Sequence, residues 1–217
     1  MIEKVAEIKK RSSSTMSPYF DLLYLESCEL APPLNLIVEL GVGWSSHVLN
    51  LVAIERKCKF IGVDKNMEEI KGQKKIDQLS DCHLIEADDI LVGMKFKEVS
   101  RNLGIKPKIN ILLIDTSHLY SCTKLEIDFW FPYLEKKAKI FFHDTNLKKQ
   151  LKYKDGSFDE KGWDNERGVI RAIEEFFHKN MDEEIEFKTT ISDEKNILWT
   201  IQHFPWSAGF TILGKNC

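Results

Sequence analysis

The chain is expected to fold as an α/β protein with a doubly wound, mostly parallel sheet and an antiparallel C-terminal edge. Five short apolar runs separated by stretches of helical periodicity predict parallel strands buried on both faces by helices. Each of the first five runs has an acid at or just after its end. The last quarter of the chain holds strand-like runs with no helical stretch between them, a pattern that predicts antiparallel pairing.

A length of 217 residues suits one substantial core with small additions. The formal net charge of -3 argues against a broad nucleic-acid-binding face, which needs clustered Lys and Arg. The five cysteines form no CxxC pair, and the odd count and spacing favour a reducing compartment. No apolar run approaches the length of a membrane span, and the N-terminus lacks the apolar stretch of a signal peptide. A cytoplasmic protein with a small-molecule partner, and no nucleic acid or membrane partner, is therefore expected; a homo-oligomer is compatible with this reading.

Residues 1–33 read as an N-terminal helical extension, with a loosely docked helix over Ile2 to Lys10 and a second helical piece from Tyr19 to Leu30. Pro32 and Pro33 then force an extended entry into a cofactor-binding domain over 34–217. Its first strand spans Asn35 to Leu40, and a helix from Ser45 to Arg56 follows the turn at Gly41 and Gly43. Lys59 to Val63 is the second strand, and Met67, Ile70, Ile76 and Leu79 mark an amphipathic helix after it. Strand three covers Cys82 to Ala87, and a weak helical pattern runs from Ile90 to Leu103. Lys108 to Ile114 is the strongest strand; a helix over Cys122 to Phe131 ends at Pro132. Strand five covers Ala138 to Phe142. The polar stretch 146–166 reads as a lid or binding loop, and Gly168 to Phe177 as a helix. Runs at 184–189, 197–201 and 209–214 complete the series.

Ligands of open parallel sheets gather beyond the carboxyl ends of the strands, so Glu39, Asp64, Asp88, Asp115 and Asp144 share one expected rim. Capping of the next helix is the alternative use of each acid. Gly41 and Gly43 allow a tight turn and a close backbone approach by a ligand. Asp64 ends the next strand, where a carboxylate accepts hydrogen bonds from ribose hydroxyls. Ser46 replaces the third glycine of a dinucleotide fingerprint, and Trp44 crowds the turn. Asp115 and Asp144 suit a divalent cation, and His118 and His143 lie beside them as proton acceptors. Helix capping by His118 and a purely hydrogen-bonded His143 are the competing uses. Trp163, Asp164, Asn165, Arg167 and Trp206 stand either in a substrate wall or as anchors.

These residues resemble the class I S-adenosylmethionine-dependent methyltransferases, which are Rossmann-like. VELGVG at 38–43, GVDKN at 62–66, EADD at 86–89, ILLIDTSH at 111–118 and KIFFHDT at 139–145 carry the resemblance. With GVIRAIEEF at 168–176, the later motifs are similar to those of the cephalosporin hydroxylase-like and macrolide-sugar O-methyltransferase-like subgroup. The resemblance implies a seven-stranded sheet, which leaves the run at 184–189 superfluous. It also implies that Glu39, Gly41 and Gly43 surround the methionine end of S-adenosylmethionine, Asp64 takes the ribose hydroxyls, and Asp88 lies by the adenine amino group. Asp115 and Asp144 would hold magnesium, and His118 would take the proton of an acceptor hydroxyl. The implied activity is methyl transfer to a hydroxyl of a small molecule, assisted by a divalent metal or His118, with Asp115 and His118 as catalytic groups. An NAD(P)-dependent oxidoreductase and a catalytically inactive cofactor-binding or interaction protein are the alternatives.

Overall fold

The computed structural model describes residues 1–68, 82–146 and 167–216. Its eight strands are β1 (Leu36–Leu40), β2 (Lys59–Asp64), β3 (Cys82–Glu86), β4 (Ile109–Ile114), β5 (Leu134–His143), β6 (Phe187–Ser192), β7 (Leu198–Phe204) and β8 (Phe210–Asn216). They form one sheet in the order β3-β2-β1-β4-β5-β8-β7-β6. Neighbours from β3 to β5 are parallel, whereas β8, β7 and β6 are each antiparallel to the strand before them in that order. The expected antiparallel edge is present. The count is eight rather than seven, because the run expected to be superfluous supplies the outer strand β6, shifted to 187–192.

Along β1, β4 and β5 side chains alternate between two buried faces, as a period of two demands. Leu36, Val38, Leu40, Leu112, Ile114, Ile140 and Phe142 enter one core. Ile37, Ile111, Leu113 and Phe141 enter the other. The first core is covered by α4 (Asp89–Met94), α5 (Phe96–Asn102), α6 (Tyr120–Trp130) and α7 (Gly168–Phe177), and the second by α1 (Ile2–Arg11), α2 (Phe20–Cys28) and α3 (Trp44–Arg56).

Three expectations change on packing. The first helix is not loosely held: Val5 is fully buried with Met16, Tyr19, Phe20 and Leu23 in the second core, and Lys9 pairs with Asp21 at 2.6 Å. The weak pattern over 90–103 is two short helices that part at Lys95, which explains why no single helical face runs through it. Strand β5 begins at Leu134, four residues early, since β4 pairing extends Leu134 opposite Ile109. Met67 is buried; the rest of the helix expected around Ile70, Ile76 and Leu79 lies outside the described residues, as do 147–166 of the expected lid, with Trp163, Asp164 and Asn165.

Candidate active site

Strand order reverses between β1 and β4, since β2 continues to one side of β1 and β4 lies on the other. The crevice above that reversal is where an open α/β sheet binds ligands. Its floor is the turn after β1 against the turn after β4: Asp115 N–H donates to Leu40 O at 2.9 Å, and Gly41 N–H to Val63 O at 2.9 Å. Gly41 has φ +85, and a Cβ there would stand 1.8 Å from the Asp115 carbonyl oxygen. Only glycine therefore lets the two turns meet; the close approach seen there is made by protein backbone.

A cavity of about 250 Å³ opens above this floor, lined by Gly41, Asp64, Lys65, Asp89, Asp115 and Glu126 among others. Of the expected cofactor residues, Gly41 and Asp64 reach its wall. Asp64 accepts from Val42 N–H and Asn66 N–H, each at 2.9 Å, one bond per oxygen, which leaves lone pairs for hydroxyl donors. Glu39 lies underneath, fully buried, and accepts from Ser45 Oγ at 2.5 Å and from Ser46 Oγ. Burial pushes its pKa up to about 8 against the pull of the two serines. Gly43 N–H donates to Ser46 Oγ at 3.0 Å, so Gly43 opens α3 rather than the cavity. Asp88 caps α4 by accepting from Leu91 N–H at 3.0 Å and pairs with Lys65 at 2.9 Å. Lys65 holds the Asp88 carboxyl below the usual carboxylate range, and for this acid the capping use holds. Its neighbour Asp89 is the one on the cavity wall.

Beside the cavity, Asp115 also belongs to a second group. His118 Nε2 lies 2.7 Å from Asp144 Oδ2 and 3.8 Å from Asp115 Oδ1. His143 Nδ1 lies 3.1 Å from Asp115 Oδ1 and 2.8 Å from Asp144 Oδ2. His118 does not cap the following helix, which begins at Tyr120 without a side-chain cap. His118 and Asp144 both hold left-handed backbone, with φ 58 and φ 57, a conformation that costs energy in non-glycine residues and collects at functional sites. His143 ends β5 and is 2 % exposed; Tyr19 meets its ring edge-on with centroids 6.2 Å apart. Burial works to lower both imidazole pKa values, but the bonds and charges of Asp115 and Asp144 outweigh it and raise each to about 10. The same contacts overcome burial at Asp115 and hold its carboxyl far below the usual range.

Donor atoms of Asp115, His118 and Asp144 lie within 4.8 Å of one another. The two carboxylates of this group fit a divalent cation, whose charge would replace that of the imidazolium protons and leave the His118 imidazole beside it as a neutral base. Arg167 stands apart from this cluster: it pairs with Glu183 and Glu174 at the start of α7. Trp206 stacks on Tyr19 at 4.7 Å and so anchors the N-terminal segment. His203 is buried and bonds Thr211 Oγ1 at 2.8 Å and Glu183 O at 3.0 Å.

Residues 38–145, which contain every one of these strand-end groups, match a family described as a methyltransferase domain. This stretch is a methyltransferase domain. Its fold is that of the class I S-adenosylmethionine-dependent enzymes. The methyltransferase MycE from the mycinamycin biosynthetic pathway, in complex with Mg and SAH, superposes with a TM-score of 0.58 at 15% identity, over 98% of this chain and 53% of that one. The chain thus spans about half the length of MycE. SAH-bound methyltransferase PaMTH1 of Podospora anserina superposes with a TM-score of 0.55 at 11% identity, over 98% of this chain and 88% of that one. At these identities the likeness is one of fold. No curated protein matches the chain in sequence. Strand order separates the methyltransferase from a dinucleotide-binding oxidoreductase: antiparallel β8 lies beside β5, where the nicotinamide fold continues with a parallel strand. Among the described residues no helix is long and apolar enough to cross a membrane.

The residues that sequence reading missed are Asp89 and Glu126. Glu126 had a readable signal, since Thr123, Glu126, Ile127 and Trp130 form the buried face of α6 at helical spacing, and an acid on such a face demands a partner.

Proposed function

We propose that this methyltransferase transfers the methyl group of S-adenosylmethionine to a hydroxyl oxygen of a small molecule, as the macrolide-sugar O-methyltransferase-like subgroup does. The observation that carries the reading is the position of Asp115, which lines the cavity and also belongs to the carboxylate–histidine cluster. Asp64 would take the ribose hydroxyls of S-adenosylmethionine at the cavity wall beside Gly41, and Asp115 would stand between that nucleoside and the cluster. Glu39 and its serines support the turn from below, and Asp88 acts through α4 rather than by touching the base.

In the transfer the sulfur–carbon bond breaks as the oxygen–carbon bond forms, and the hydroxyl proton leaves to His118 Nε2. Alignment of the oxygen with the methyl carbon supplies much of the acceleration. A divalent cation such as magnesium, held by Asp115 and Asp144, would lower the hydroxyl pKa and balance the two carboxylates. His118 accepts a proton only when neutral, and the two carboxylates are what keep it protonated; a cation held by those carboxylates would weaken that pull and leave Nε2 neutral for the role. His143, wedged between the same acids, keeps their oxygens in place.

Calorimetric titration with SAH and with NAD tests the cofactor assignment. Saturable SAH binding is expected; NAD binding without SAH binding would refute it. Methyl-transfer assays over a panel of hydroxyl-bearing small molecules, with and without magnesium, separate an active enzyme from an idle cofactor-binding protein.

A further inference from the structure

Glu126 on α6 is 1 % exposed and Asp89, the first residue of α4, is 7 % exposed, yet both line the cavity. Glu126 Oε1 accepts the hydroxyl of Thr116. Its Oε2 and the Oδ2 of Asp89 are both buried without a hydrogen-bond partner, and each carboxyl lies close enough to act on the ionisation of the other. One turn further along α6, Trp130 Nε1 donates to Asp89 O at 3.2 Å, which fastens α4 to α6 at this level. Thr116 follows Asp115 and precedes His118 by two residues, so whatever holds Thr116 holds the turn shared by the cavity and the cluster.

We propose that Glu126 is a positioning residue: braced by Asp89 behind it and holding Thr116 in front, it fixes the 115–118 turn between the cofactor cavity and the carboxylate–histidine cluster. Two carboxylates in contact inside a protein cannot both ionise cheaply. One proton resolves the conflict, because a neutral Glu126 donates from Oε2 to Asp89 Oδ2 while Oε1 still accepts from Thr116. Burial, and then the charge of Asp89, push the Glu126 pKa up to about 8, and burial raises Asp89 as well. The charged groups facing the pair are His118 from the turn, which favours ionisation of Glu126, and Lys65 and Asp88 beside Asp89, which act in opposite directions. Loss of the shared proton sets two like charges against each other under the cavity and shifts Glu126, and with it Thr116, whose own hydroxyl bond favours the ionised form and persists.

The ligand arm of the test rests on the cofactor reading above; a second arm does not. Glu126→Gln keeps both bonds without a titratable proton, since its amide donates to Asp89 and its carbonyl accepts from Thr116. Glu126→Ala removes both. SAH affinity of the wild type should fall roughly tenfold between pH 7 and pH 9. The Gln variant should match wild type at pH 7 and lack that fall, and the Ala variant should bind on the order of tenfold more weakly at pH 7. Glu39 is unaltered in all three proteins, so its own titration cancels in the comparison. A Gln variant as weak as Ala, or one with the wild-type pH slope, overturns the proposal. If no protein binds SAH at any pH, the cofactor reading fails, and amide exchange of ligand-free protein at 115–118 decides instead. Faster exchange in the Ala variant alone supports the positioning role, and equal exchange in all three refutes it. Should the Ala variant not fold, the comparison of Gln with wild type across pH still decides.

Discussion

Asp144 takes part in two short contacts, with His118 and His143, and it does so from left-handed backbone. Asp144→Ala is therefore expected to abolish stoichiometric binding of a divalent cation, measured by calorimetry with magnesium or manganese. SAH affinity should change little, because Asp144 is not on the cavity wall. The same variant should lower the His118 pKa from about 10, since it deletes one of the two carboxylates that raise it; imidazole NMR titration reads this directly. His118→Ala should leave cation binding largely intact and slow transfer by roughly 10²–10⁴-fold, the scale of general acid–base assistance. A loss well under that range would assign His118 to positioning alone. Gly41→Val should weaken SAH binding by prising the β1 and β4 turns apart, because its Cβ meets the Asp115 carbonyl at 1.8 Å; unchanged affinity in a folded variant would contradict the steric account.

At the level of elements, local pattern and tertiary partner share control. Strands β1, β2 and β4 were readable as apolar runs because both of their faces are buried and so leave no polar alternation to confuse. Strand β6, superfluous to the seven-stranded family pattern, shows itself in its own alternation of half-buried and exposed side chains from Phe187 to Ser192. Its partner β7 carries Trp199, 2 % exposed, packed between Phe131, Phe176 and Phe177. Trp199→Ala should cost about 3–5 kcal/mol in denaturant unfolding. The cofactor cavity, lined by none of these residues, should keep its SAH affinity in the folded fraction.

For the whole molecule, the buried acids predict how stability responds to pH. An unfolded chain ionises Glu126 near its ordinary value of 4.5, whereas the fold holds the proton to about 8. This contribution is complete below the unfolded value and is lost as pH rises from there through the folded value. The wild-type melting temperature should accordingly fall relative to that of Glu126→Gln between pH 5 and pH 8, with a constant difference above; a difference that does not change with pH would show Glu126 to be ionised throughout. What the sequence by itself determined is the alternation of strands and helices, the antiparallel end of the sheet, and the acids at the strand ends, because burial periodicity and glycine turns are local properties. Tertiary structure alone decided which of those acids work together. Asp88 spends its carboxylate on a helix cap and Glu39 on two serines, while Asp115, His118, His143 and Asp144 converge and Asp89 meets Glu126. Those choices depend on strand order and on backbone turns that bring together groups up to 37 residues apart, as Asp89 and Glu126 are, and no spacing along the chain encodes such a meeting.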